Sequence, residues 1–181
     1  MTSYHAVVGR GGVKEGTKIG LIGIGGLGSV GNQIAAQKGA KVYVASRKAE
    51  AREKALKNGA YKASENILDF KDEGLEVIVD FAGAGKTTAE ALEAVAPGGK
   101  VVVVGMSSLE TTINTGSLIL KENSVLGSVG GTAHDIKDVL DMMKEGKLHI
   151  ETSEVTFNEV PEGLDRLKEG KVSGRLVMTN K

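Results

Sequence analysis

The stretch IGLIGIGGLGSVGNQIAAQKGAKVYVASRK, Ile19 to Lys48, limits this chain more than any other part of it. An apolar run, Thr17–Gly23, reads as a buried strand. Glycine then fills Gly23, Gly25, Gly26 and Gly28. A helical stretch follows and stops at Gly39, a residue suited to the left-handed turn that ends helices. A second apolar run, KVYVA, comes next. A strand, a corner almost bare of side chains, a helix and another strand make one βαβ unit. Such a unit makes its two strands parallel, because the helix carries the chain back to the starting edge.

The same alternation continues. RKAEAREKALKNG reads as a charged helix ending at Gly59, AYKA as a short third strand, and LEVIVDFAG (Leu75–Gly83) as a fourth. KTTAEALEAVAPGG gives the next helix and KVVVVGM (Lys100–Met106) the fifth strand. LILKENSVLGSVGG gives a short helix and a sixth strand near Ser124–Ser128. In AHDIKDVLDMMKEGK the apolar residues Ile136, Val139, Leu140 and Met143 fall at helical spacing. Nearly unbroken apolar strands between helices predict an α/β, doubly wound parallel six-stranded sheet (Rossmann fold), of order 3-2-1-4-5-6, covered on both faces. From about Ile150 the alternation lapses. ETSEVTF, a helix near Val160–Lys168 and a last strand GRLVMT make a short C-terminal tail. The 181 residues are expected to form a single nucleotide-binding domain, with 150–181 as its tail.

Composition narrows the function classes. Lys and Arg together number 23, as do Asp and Glu, which gives no general argument for nucleic acid or an anionic membrane as partner. Cysteine is absent, so disulfide and thiolate chemistry are excluded. No apolar run of about 18 residues suggests a transmembrane helix, and the start MTSYHAVVGRGG has no signal-peptide h-region. The expectation is a cytoplasmic protein.

Gly23-Ile24-Gly25-Gly26-Leu27-Gly28 fits G-x-G-x-x-G, between a strand and a helix as that pattern requires. Gly23 permits the tight turn, Gly25 lets the backbone approach a pyrophosphate, and Gly28 lets the helix lie close on the strand. The helix N-terminus offers free N–H groups and partial positive charge to phosphates. Gly31, one turn on, suggests further close packing. The second strand ends in Ser46-Arg47-Lys48, where an NAD-binding chain of this pattern has Asp or Glu for the ribose hydroxyls. A serine donor and a planar cation suit a 2′-phosphate instead, with Lys48 or Arg52 adding charge. The cofactor expected is NADP(H).

Other groupings carry less. His5, His134 and His149 lack metal-ligand spacing, so no metal site is expected, and His5 reads as a packing residue. Asp80 ends an apolar strand and is expected to order the turn after it. GAGKTT (Gly83–Thr88) lacks the full phosphate-loop pattern. No residue is put forward as catalytic.

On these residues the chain resembles the cofactor domain of medium-chain, zinc-type alcohol dehydrogenases over essentially its whole length. TSYHAVVGRGGVKEGTKIGLIGIGGLGSVGNQIAAQKGAKV looks like that family's run from the interdomain helix through its first two strands. VIVDFAGAG, GGKVVVVGM, VLGSVGGTAHDIKDVLDMMKEGK and GLDRLKEGKVSGRLVM resemble its later segments. The resemblance implies that Phe81, Ala82 and Gly83 lie beside the ribose and nicotinamide. It implies that Val104, Gly105 and Met106, and equally Ser128, Val129 and Gly130, offer contacts to the nicotinamide carboxamide. Arg175 matches an arginine that reaches the pyrophosphate, and Ser46-Arg47 matches NADP-using members. The family's catalytic zinc and substrate pocket belong to an N-terminal domain, which the tail would contact. The chain is thus expected to be a fragment of a larger two-domain enzyme: it binds cofactor, does not catalyse alone, and could pair into a homodimer near SVLGSV. A zinc-free quinone reductase of the same superfamily and a stand-alone nucleotide-sensing module remain alternatives.

Overall fold

The alternation folds as the periodicity dictates in the computed structural model, which describes residues 1–180. The chain opens with α1 (Thr2–Tyr4), which widens into a π-helix over His5–Arg10. Then come β1 (Lys18–Ile22), α2 (Gly28–Gln37), β2 (Lys41–Ala45), α3 (Ala49–Lys57) and β3 (Lys62–Ser64). A 3₁₀ turn, Ile67–Phe70, leads to β4 (Val77–Asp80), α4 (Lys86–Ala94), β5 (Lys100–Val103), α5 (Thr115–Leu120), β6 (Ser124–Gly127) and α6 (Ala133–Lys144). Gly39 and Gly59, at φ 76° and 95°, supply the left-handed turns after α2 and α3.

The six strands pair in parallel in the order β3-β2-β1-β4-β5-β6, the order the alternation predicts. Register sets Lys18 beside Lys41 and Ile22 beside both Ala45 and Asp80. Strand residues alternate between faces. Ile19, Leu21, Val42, Val44, Val77, Val79 and Val102 pack with Ala6, Val7, Val30 and Ile34 on one face. Ile22, Tyr43, Ala45, Ile78 and Val101 pack with Ile67, Phe70, Ala91 and Leu92 on the other. Gly20 is a strand residue for want of room: a Cβ there would lie 2.8 Å from Ile67 Cδ1 and 3.0 Å from Leu75 Cδ1.

Two strands are shorter than their apolar runs, because their last amides bond elsewhere. Val104 N and Gly105 N both donate to Asp80 O at 3.0 Å, which turns the chain after β5. Asp80 itself turns the chain after β4. The π-helix and the 3₁₀ turn have no clear signal in the sequence.

The amino ends of the strands carry their own chemistry. Lys18, Lys41, Lys62 and Lys100 each begin a strand. In a βαβ unit this edge also receives helix C-termini, whose partial negative charge favours cations. Lys121 Nζ bonds Glu93 O in α4 at 2.8 Å. Glu73 ties the cluster together: its carboxylate meets Lys62 Nζ at 2.5 Å and accepts from Tyr43 OH at 3.0 Å. Lys41 Nζ sits 3.8 Å from the centre of the Tyr61 ring. Lys62 and Tyr43 hold the Glu73 carboxyl below its ordinary pKa, and burial pushes the Tyr43 phenol up.

The contacts divide the chain into two compact units, Met1–Leu148 and a smaller one beginning at His149. The second contains β7 (Thr152–Val155), a 3₁₀ turn at Phe157–Glu159, α7 (Val160–Lys168) and β8 (Arg175–Met178). β7 and β8 pair in parallel, and Thr156 with Glu159 forms a capping box. Among the described residues no helix is long and apolar enough to cross a membrane.

A carboxyl whose folded pKa is depressed adds stability above its unfolded pKa and loses it as pH falls through the folded value. The Glu73 contribution is therefore present at neutral pH and disappears in acid. Glu73→Gln is expected to lower Tm at pH 7 and to flatten the fall of Tm below about pH 4.5. Thermal melts from pH 2 to 7 read this directly. An unchanged pH dependence would remove Glu73 from the account.

Candidate functional site

The corner after β1 is built by backbone contacts that side chains would prevent. Gly23 turns with φ 85°, and its N–H donates to Ala45 O at 3.0 Å. A Cβ on Gly28 would overlap Gly23 O, so α2 can start against β1 only with glycine there. Gly25 is exposed, and a Cβ on it would meet nothing within 4 Å. Its bareness answers no need of the protein's own packing. Gly26 and Leu27 are half-buried. Leu27 stands at the N-cap of α2, and no side chain caps that end. Ser3 Oγ donates to Leu27 O at 2.8 Å from the N-terminal helix. Gly31 is explained by Phe81, whose ring would lie 2.8 Å from a Cβ at that position.

The ends of β4 and β5 are locked to each other. Asp80 is fully buried, and its Oδ1 accepts from Ala82 N at 3.0 Å and Gly83 N at 2.9 Å. Its Oδ2 accepts from the hydroxyls of Thr87 and Thr88, both at 2.8 Å. This fits the expected turn-ordering role and leaves no lone pair for proton transfer. Gly83 and Gly105 touch backbone to backbone, and a Cβ on either would overlap the other segment. Val104 is half-buried, and Met106 is 75% exposed. After β6, Ser128 N donates to Val103 O at 3.0 Å, Val129 is 87% exposed, and Gly130 turns at φ 59°.

At the end of β2, Ser46 N donates to Ser64 O at 3.0 Å. Arg47 and Lys48 are exposed. The Arg47 guanidinium makes no hydrogen bond or ion pair with the other described residues. Lys48 is the N-cap of α3, again without a side-chain cap. Arg52 turns one guanidinium nitrogen to the backbone of the corner. Its Nη1 donates to Ser46 O at 2.6 Å and to Arg47 O at 3.2 Å. Sequence reasoning missed this clamp, whose only signal is a long donor one turn into a helix below an exposed corner.

Gly23–Gly28, Ser46–Lys48, Phe81–Gly83, Val104–Met106 and Ser128–Gly130 thus share the carboxyl edge of one parallel sheet. Arg175 lies in the second unit, exposed, as the first residue of β8. Its N–H donates to Glu151 O at 2.9 Å. The histidines go elsewhere. His5 Nδ1 lies 2.9 Å from Asp135 Oδ2, at the capped start of α6. The Thr132 amide, with help from its hydroxyl and from His5, holds the Asp135 carboxyl below its usual range.

A parallel sheet of this order with a glycine corner opening its first helix defines a Rossmann-type nucleotide-binding fold. Residues 26–145 match the family of zinc-binding dehydrogenases, and the chain belongs to that family. An alcohol dehydrogenase of Geobacillus stearothermophilus is 30% identical over 98% of this chain and 54% of its own length. The NADP-dependent alcohol dehydrogenase 6 of Saccharomyces cerevisiae is 28% identical over 98% of this chain and 52% of its own. The solved structure of acetophenone reductase from Geotrichum candidum, in complex with NAD, superimposes with a TM-score of 0.93. It is 32% identical and covers 99% of this chain and 52% of that one. The chain spans about half the length of the curated relatives it matches.

The residues present fit a dinucleotide: Gly25 leaves an open seat beside an uncapped helix end. They do not fit the zinc of the family's name. Among the described residues no three His, Asp or Glu side chains converge as metal ligands.

The two glycines separate seat from fold. Gly25→Ala is expected to leave Tm unchanged, since its methyl meets nothing. Gly28→Ala is expected to lower stability by about 1–3 kcal/mol, the range for overpacked contacts. Urea unfolding of both variants tests this; equal loss in the two would mean the corner is not arranged as described.

Proposed function

We propose that this chain is the NADP(H)-binding part of a zinc-type alcohol dehydrogenase, which moves hydride between nicotinamide and an alcohol or its aldehyde or ketone. When bound, the nicotinamide ring supplies or accepts the hydride. The chain's own residues bind and orient it. Gly23–Gly28 and the start of α2 take the pyrophosphate, and the backbone at Phe81–Gly83, Val104–Met106 and Ser128–Gly130 flanks the nicotinamide end. Arg175 is assigned to the pyrophosphate in the assembled enzyme. The metal and the substrate pocket belong to the part of the enzyme outside this chain, so the chain alone binds cofactor without turning over substrate.

The relatives point both ways on the cofactor, one being NADP-dependent by name and one solved with NAD. One observation supports NADP(H). Arg47 and Lys48 stand at the uncapped N-terminal end of α3. A helix start favours acids and disfavours cations by about 0.3–1 kcal/mol each. The exposed Arg47 beside that helix start would be relieved by an anion, and the 2′-phosphate is the anion that this end of the fold would meet. Ser46 stands where an acid would repel it.

NADPH is expected to bind at least about tenfold tighter than NADH, as charge-assisted bonds to a phosphate would give. Arg47→Ala should erase the preference and Ser46→Asp should reverse it. Fluorescence titration of both nucleotides reads these outcomes. Tighter binding of NADH to the unmodified chain would overturn the assignment.

The same reading includes a homodimer through the outer edge of β6. Val125 on that edge is 43% exposed, and Ile119 and Leu120 of α5 are 71% and 87% exposed beside it in sequence. Sedimentation velocity is expected to show a dimer at micromolar concentration, and a monomer throughout would remove this surface from the proposal.

A further inference from the structure

The clamp made by Arg52 suggests a role that the charge pattern alone does not. Arg52 lies on α3, where its own N–H makes the first helical bond, to Lys48 O at 3.2 Å. From there the side chain reaches back and places Nη1 2.6 Å from Ser46 O and 3.2 Å from Arg47 O. Two successive carbonyls are thereby held towards one cation. A peptide unit is planar and trans, so its N–H points opposite to its C=O. Holding the Ser46 and Arg47 carbonyls therefore turns the Arg47 and Lys48 amides away from Arg52. The Arg47 N–H finds no acceptor among the described residues, and the Arg47 side chain is exposed without a partner.

We propose that Arg52 is a positioning residue for selection of the 2′-phosphate. It does not touch the phosphate. It fixes the corner Ser46–Lys48 so that the Arg47 amide is turned away from Arg52 and left open beside an exposed guanidinium. The backbone direction is then set before any ligand arrives, which spares the ordering that a loose loop would undergo on binding. The inference rests on the NADP(H) reading above and adds the residue through which that selectivity is held.

A half-buried arginine that grips carbonyls also supports the fold, so the test uses a ratio that folding alone does not move. Dissociation constants for NADPH and NADH are measured for the unmodified chain, Arg52→Lys and Arg52→Gln, at low and at moderate salt. Loss of the clamp is expected to weaken NADPH about tenfold and NADH less than about twofold, the size of one lost charge-assisted contact. Arg52→Lys keeps the charge but not the planar fork. It is expected to show most of the same deficit, and the deficit is expected to persist at moderate salt. Full rescue by Arg52→Lys, or a deficit that salt removes, would mean that Arg52 acts by charge at a distance. Equal weakening of both nucleotides, or an unchanged ratio, would reduce it to a structural residue. Each of these results overturns the proposal. The wild-type ratio is read separately: if the unmodified chain does not prefer NADPH, the NADP(H) reading fails first and this inference falls with it.

Discussion

The first unit depends on one close approach, that of Gly28 to the carbonyl of Gly23. α2 leaves β1 so tightly that no side-chain carbon fits between them. Everything that follows inherits this direction. The helix lies flat enough for Gly31 to pass the ring of Phe81, and Phe81 is held in turn by its N–H to Ile22 O at 2.9 Å. β4 is thereby fixed beside β1. Asp80 at its end then gathers two amides and two hydroxyls. The next strand end leans on the same residue through Val104 and Gly105. One sterically bare corner thus sets the spacing of three strand ends.

That chain of contacts explains why the edge is rigid where a ligand needs it rigid. The Gly83 and Gly105 backbones touch, so the loops after β4 and β5 cannot shift independently. Close packing passes a displacement in one to the other. The corner after β2 is different. Its backbone is tied to Ser64 through Ser46 N, and a side chain, Arg52, holds the carbonyls of Ser46 and Arg47. The loops after β4 and β5 rest on backbone packing, whereas the corner after β2 is held by one guanidinium. Selectivity in such a fold can change by substitution at the second place without disturbing the first.

Much of this was legible in the sequence. Uninterrupted apolar runs between glycine-ended helices gave the sheet and its order, because burial on both faces removes polar residues from the strands. The G-x-G-x-x-G corner was legible because Gly23 and Gly28 stand where no side-chain carbon fits. Asp80 was legible as a turn residue from its place at a strand end. The extents of the fourth and fifth strands were not. The fourth ends where Ala82 N turns back to Asp80 Oδ1, and the fifth where amides are diverted to Asp80 O, a relation between residues distant in sequence. Gly20 looked like any strand residue, and only its neighbours Ile67 and Leu75 explain it. Arg52 looked like one more cation, since composition counts charges but not the carbonyls they hold.

The lysines that begin four strands carry a last consequence. The chain's formal net charge is zero. Its charge is nonetheless not evenly felt. Helix starts crowd the carboxyl edge of the sheet, while lysines cover the opposite edge and quiet the negative helix ends there. What remains at the amino edge is a row of cations turned towards the protein's own carbonyls and carboxylates, as Lys121 is to Glu93 O and Lys62 to Glu73. Salt screens exposed charges over about 8 Å at physiological strength, so this self-contained neutralisation of the amino edge weakens as salt is added.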